Sequence, residues 1–91
     1  MIHLKALPGS PEFGGDFDAV EAAAIVDATT LIAGGVDAIL IENFGDVPFQ
    51  KTVDAVTVAS MTRIVREIVE MSDLPVGVNV LRNDALGALS I

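Results

Sequence analysis

The chain has 91 residues, 52% of them hydrophobic, no cysteine and a formal net charge of −8. Its mean hydropathy of +0.60 belongs to a well-buried globular chain and excludes a disordered acidic tail. Only Lys5, Lys51, Arg63, Arg66 and Arg82 are basic, and they are scattered, which excludes a nucleic-acid-binding surface and disfavours an anionic membrane surface.

Ile2 to Leu7 reads as a first strand, stopped by Pro8-Gly9-Ser10-Pro11, which suits neither strand nor helix. Asp18-Ala19-Val20-Glu21 has capping-box spacing and opens an alanine-rich helix to about Ala33, closed by Gly34-Gly35. Ala38 to Glu42 is a second strand. After a loop, Thr52 or Asp54 caps a second helix. Its Val58, Met61, Thr62, Val65, Ile68 and Val69 make one buried stripe, and Arg63, Arg66, Glu67 and Glu70 take the wet side. Leu74-Pro75 leads into a third strand, Val76 to Leu81, and Asp84 caps a third helix.

His3 to Ile39 is 36 residues and Ile39 to Val78 is 39. Each span holds one crossover helix, so the strands are consecutive βα units and parallel. Strand parity then assigns faces. Ile2, Leu4, Ala6, Ile39, Ile41, Val76, Val78 and Val80 pack on helices. His3, Lys5, Leu40, Glu42, Gly77 and Asn79 share the other face. An open doubly wound sheet covers that face with helices as well, whereas a barrel lumen carries polar groups there near its mouth, so the pattern favours a barrel.

Each of the three strands ends in polar or turn-forming residues, most clearly at Glu42-Asn43-Phe44-Gly45-Asp46-Val47-Pro48-Phe49 and Asn79-Val80-Leu81-Arg82-Asn83-Asp84. Ligands bind at such C-terminal strand ends in α/β folds. His3, the single histidine, suits a general acid/base or an anion contact; the plainer reading is a hydrogen-bonded core histidine. Without further His or Cys nearby it makes a poor metal site. Glu42 suits a base, a hydroxyl-binding group or one Mg²⁺ ligand, while Asp46 reads as a turn residue that bonds its own backbone. Asn79, an amide in a valine-rich strand, must bond a ligand or a neighbour such as Glu42. Arg82 suits a phosphate or carboxylate, or a salt bridge to Asp84 or Glu42. Lys5 suits a phosphate, or neutralises Glu42. Gly14-Gly15 lacks the lysine and spacing of a phosphate loop and reads as loop glycines.

Met1-Ile2-His3-Leu4-Lys5-Ala6-Leu7-Pro8-Gly9-Ser10-Pro11 resembles the opening signature of the BtpA/SgcQ family. Val36-Asp37-Ala38 through Phe49 and Gly77 through Ala85 are similar to its second and third signatures, and Ala59 to Glu67 to its Ala-x-Met-Thr-Arg-Ile-Val helix. The resemblance covers nearly the whole chain. It implies a TIM (β/α)8 barrel of the ribulose-phosphate-binding type, of which these residues supply the N-terminal βαβαβ portion, about three of eight units, as one partial domain. Taken with the strand-end residues, it leads to the expectation of an enzyme or ligand-binding barrel for a small anionic, phosphorylated metabolite, with His3, Glu42 and Asn79 as catalytic residues and Lys5, Asn43, Arg82 and Asn83 contacting substrate. The family offers a second role, a non-catalytic assembly factor for photosystem I with peripheral membrane attachment. It establishes no reaction and no cofactor.

A whole barrel needs roughly 250 residues. The expectation is therefore that this chain opens inside a first strand, is truncated, and is neither stable nor active alone; a soluble monomer with cooperative unfolding would count against this. A full-length version is expected to be a homo-oligomer. No apolar run reaches transmembrane length and no signal-peptide pattern opens the chain. With the absence of cysteine, the expected location is the cytoplasm.

Overall fold

In the computed structural model, which describes residues 1–46, 53–81 and 84–91, the elements run β1 (Ile2–His3), α1 (Phe17–Ala33), β2 (Ile39–Glu42), α2 (Ala55–Glu70), β3 (Val76–Asn79) and α3 (Ala85–Ser90). The strands form one parallel sheet in the order β1-β2-β3. His3 pairs with Glu42, and Glu42 with Asn79. The chain is thus a small α/β unit built of consecutive parallel βα steps.

The faces follow parity. Ile2, Leu4, Ile39, Ile41 and Val80 join Val20, Ala24 and Ala28 of α1 and Met61, Ile64 and Ile68 of α2 in one buried cluster. On the opposite face His3, Lys5 and Gly77 are exposed and Leu40, Glu42 and Asn79 half-buried. Helices therefore cover one side of the sheet among the described residues.

Several boundaries differ from the sequence expectation. β1 stops at His3 and not at Leu7, although Leu4, Ala6 and Leu7 remain buried. Beyond Leu4, whose N–H still donates to the Glu42 carbonyl, this segment bonds the loop after β2: Gly45 N–H donates to the Leu4 carbonyl and Leu7 N–H to Asp46. β3 ends at Asn79 and not at Leu81, because Leu81 turns into the left-handed region at φ +47°. The cap of α1 is Asp16 and not Asp18. Asp16 has extended backbone and accepts from Ala19 N–H, while Asp18 sits in the first turn, where its charge suits the helix dipole. Glu21, freed from a capping box, binds Arg63 of α2 at 2.8 Å. The α1 C-terminus closes as expected, with Gly35 at φ +83°.

Asp54 caps α2, whereas Thr52 lies outside the described residues. The buried stripe is rotated from the expected one. It runs through Thr57, Ser60, Met61, Ile64 and Ile68, with Thr62 and Val69 exposed and Val58 and Val65 at its margins. Thr57 and Ser60 are buried toward its N-terminal end. Thr57 is also held there by its bonds to Asp54. Arg63, Arg66, Glu67 and Glu70 face solvent as expected.

Asp84 caps α3, accepting from Gly87 N–H at 2.8 Å, and its second oxygen accepts from Val53 N–H at 2.9 Å. Those donors, and Thr57 backbone and side chain at Asp54, hold both carboxyls below their ordinary value of 3.8. Each folded value lies below the unfolded one. The two caps therefore stabilise above about pH 3.8 and lose that contribution as pH falls through the depressed folded values. Acid titration of helical ellipticity should show a transition there. Asp54→Asn with Asp84→Asn should flatten it while leaving a folded chain at neutral pH; an unchanged acid limb would refute the assignment.

Candidate functional site

The strand register brings three polar side chains into one row at the C-terminal edge of the open face. Asn79 Nδ2 donates to Glu42 Oε1 at 3.0 Å. The other oxygen, Oε2, lies 3.4 Å from His3 Nε2. Glu42 is only 12% exposed and His3 52%, so a sheltered carboxylate holds an accessible imidazole. His3 Nε2 also lies 3.0 Å from Met1 Sδ. Phe44 stacks on the imidazole, with ring centroids 4.7 Å apart and planes 22° from parallel.

Beneath this row a second set of polar groups ties the strand ends together. Asn43, 1% exposed, donates through Nδ2 to Asp46 Oδ2 at 3.2 Å and accepts at Oδ1 from Leu81 N–H at 3.0 Å. Asp46 Oδ1 accepts from Leu7 N–H at 2.7 Å. The chain segments following β1, β2 and β3 thus meet on one buried amide–carboxylate pair. This satisfies backbone donors that would be costly to bury unpaired.

Of the residues singled out from the sequence, His3, Glu42 and Asn79 come together, and Lys5 lies exposed on the same face. Among the described residues Glu42 pairs with His3 and not with Lys5. Asn79 bonds Glu42, the neighbour anticipated for it. Asn43 lies below the row with both ends of its amide engaged, and Asp46, expected to bond its own backbone, instead accepts from Leu7 N–H in the segment after β1 and from the Asn43 side chain. Arg82 and Asn83 lie outside the described residues, and Asp84 is a helix cap. Gly15 turns at φ +90° in open space. Phe44 was missed by the sequence reading; its signal is an aromatic two residues past the strand-end carboxylate, on the same side by parity. No group of three or more His, Cys, Asp or Glu suited to a metal ion occurs among the described residues. Nor is any described helix long and apolar enough to cross a membrane.

This row of donors and acceptors can fix an imidazole in orientation and accept or donate a proton at the open end of a parallel sheet. No solved structure matches the chain. Sequence relatives are clear. An uncharacterized protein of Thermococcus kodakarensis is 55% identical over 91 residues, which is all of this chain and 35% of that protein. The photosystem I biogenesis protein BtpA of Synechocystis is 50% identical over 92 residues, covering this whole chain and 32% of the relative. The Escherichia coli sgc region protein SgcQ is 39% identical over 83 residues, covering 89% of this chain and 31% of its own. The chain spans about a third of the length of these relatives. The BtpA family model matches residues 1–91, and with these relatives it shows that the chain belongs to the BtpA family.

Proposed function

We propose that these residues form the first three strands of a TIM (β/α)8 barrel of the ribulose-phosphate-binding type. Its mouth takes a small anionic, phosphorylated metabolite and carries out acid–base chemistry on it. The observation that carries the reading is the His3–Glu42–Asn79 row at the C-terminal edge of a sheet face that helices leave open. Barrel enzymes place catalytic groups at that edge, drawn from several strands. Lys5, exposed on the same face, supplies a cation for the anionic group.

The test grafts this chain onto the Thermococcus kodakarensis relative in place of its matching third, and screens phosphorylated metabolites by thermal shift. A ligand at a hundredfold its Kd stabilises by about 2.7 kcal/mol. His3→Ala with Glu42→Ala should abolish the shift. A ligand shift of unchanged size in the double variant would sink the proposal.

Similarity to the Synechocystis photosystem I biogenesis protein favours a second reading, a non-catalytic role in assembling a membrane complex. That role predicts association with photosystem components which survives His3→Ala with Glu42→Ala, and no metabolite shift in either protein.

A further inference from the structure

The proposed acid–base site leaves open which atom carries the proton and what sets the imidazole's orientation. We infer that Asn79, Glu42 and His3 form an orienting relay. In it Asn79 fixes the Glu42 carboxylate, Glu42 holds His3 as the Nε2–H tautomer, and Nδ1 is the proton-accepting atom for a hydroxyl or acidic C–H of the ligand. The inference rests on the proposed site but concerns a property of the chain that exists without ligand.

The argument is one of donors and acceptors. A carboxylate only accepts, and an asparagine Nδ2 only donates. With Asn79 Nδ2 on Oε1 at 3.0 Å, the remaining oxygen, Oε2, faces His3 Nε2 at 3.4 Å. A lone pair on Nε2 would be repelled by that carboxylate oxygen, so the contact favours hydrogen on Nε2 and leaves the lone pair on Nδ1. Met1 Sδ, 3.0 Å from the same nitrogen, is a weak acceptor and favours the same tautomer. Among the described residues Nδ1 has no hydrogen-bond partner. Glu42 is sheltered and His3 half-exposed, so the buried acid holds the ring and the ring meets the ligand. In the step itself the Nδ1 lone pair takes the ligand's proton, the bonding pair stays on the ligand's oxygen or carbon, and the imidazolium pairs with Glu42. Return of the proton regenerates the neutral ring. Asn79 is a positioning residue here and touches no ligand.

Ring-nitrogen NMR of the single histidine reads the tautomer directly. It is recorded on the graft, where subtracting the His3→Gln spectrum isolates the one signal. The neutral wild-type ring should favour Nε2–H by about fivefold, the effect of a partly exposed carboxylate contact worth up to about 1 kcal/mol. In Glu42→Gln, Asn79 still holds the amide oxygen, so the introduced NH2 faces Nε2 and the ring should invert to Nδ1–H. Adding Asn79→Ala frees that amide to turn over, and the preference should relax. These positions lie on the open face, and helical ellipticity serves as the control. An Nε2–H tautomer retained in Glu42→Gln, or identical ratios in the single and double variants, would overturn the relay. Tautomer inversion without any metabolite shift would sink the ligand reading alone, and a metabolite shift without inversion would sink the relay alone.

Discussion

Gly45→Ala should be among the most damaging single-methyl changes in this chain, lowering stability by about 3 kcal/mol. Measured in the graft onto the Thermococcus kodakarensis relative, that corresponds to a fall in Tm on the order of 9 °C. A Cβ at position 45 would stand 2.5 Å from Ala6 N, 2.7 Å from the Leu4 carbonyl oxygen and 2.8 Å from the Lys5 carbonyl carbon. All three are backbone atoms of one segment, so no rotamer change relieves the overlap. Separating the segments breaks the 3.0 Å bond from Gly45 N–H to Leu4 and pulls on the Asp46 bond to Leu7 N–H. The requirement is for space and not for an unusual φ. Gly14→Ala, with nothing within 4 Å of the added atom, should be near neutral by comparison. Equal thermal midpoints for the two variants would refute the close-approach argument.

Asn43→Asp isolates the other large effect. The substitution keeps an acceptor for Leu81 N–H but replaces the donor to Asp46 by an oxygen, placing two carboxylates about where a 3.2 Å hydrogen bond stood. Both positions are buried. The expected loss at neutral pH is about 2–3 kcal/mol, as for other buried charged groups left without a partner. Here the folded pair resists losing its last proton, so the folded pKa is raised above the unfolded one. The defect should therefore shrink as pH falls through that raised value, opposite in sign to the acid limb expected from Asp54 and Asp84. Combining Asn43→Asp with Asp46→Asn restores the pattern. The amide introduced at position 46 donates to the carboxylate at 43, still accepts from Leu7 N–H, and leaves an oxygen at 43 for Leu81. Denaturant midpoints should show most of the loss recovered in the double variant. Additive losses would mean that the buried pair does not act as a unit.

Much of this architecture was legible from spacing alone. Strand intervals of 36 and 39 residues with one helix in each leave parallel pairing as the economical topology. A strand's period of two then divides Ile39 and Ile41 from Leu40 and Glu42 without reference to any other element. The Asp84 cap, and Asp54 as one of two candidates with Thr52, were equally local, because a cap bonds a backbone N–H three residues away. Asp16 was not legible because Asp18-Ala19-Val20-Glu21 offers the same local grammar, and in the fold Glu21 binds Arg63 of another helix. The rotation of the α2 stripe has a similar cause. Valine and threonine at margin positions carry the same periodic signal as the isoleucines at the centre, and only the neighbouring helix and sheet select Ile64 over Val65 and Val69.

At the candidate site the division is sharper. That His3, Glu42 and Asn79 share a face followed from the sequence by itself, because alternation is a property of each strand separately. That they touch required the register, His3 opposite Glu42 and Glu42 opposite Asn79, which is set by packing against α1 and α2 and by the Gly45 approach to the Leu4–Ala6 segment. The stacking of Phe44 on the imidazole, and the partners Asn43 finds below the row, were likewise decided only in three dimensions. Both follow from the chain's path after β2, where Asn43 and Asp46 satisfy the backbone N–H groups of Leu81 and Leu7 from distant parts of the chain. Periodic burial is written locally and can be read locally. Pairing between strand ends about 40 residues apart depends on which donors and acceptors the folded backbone leaves facing one another.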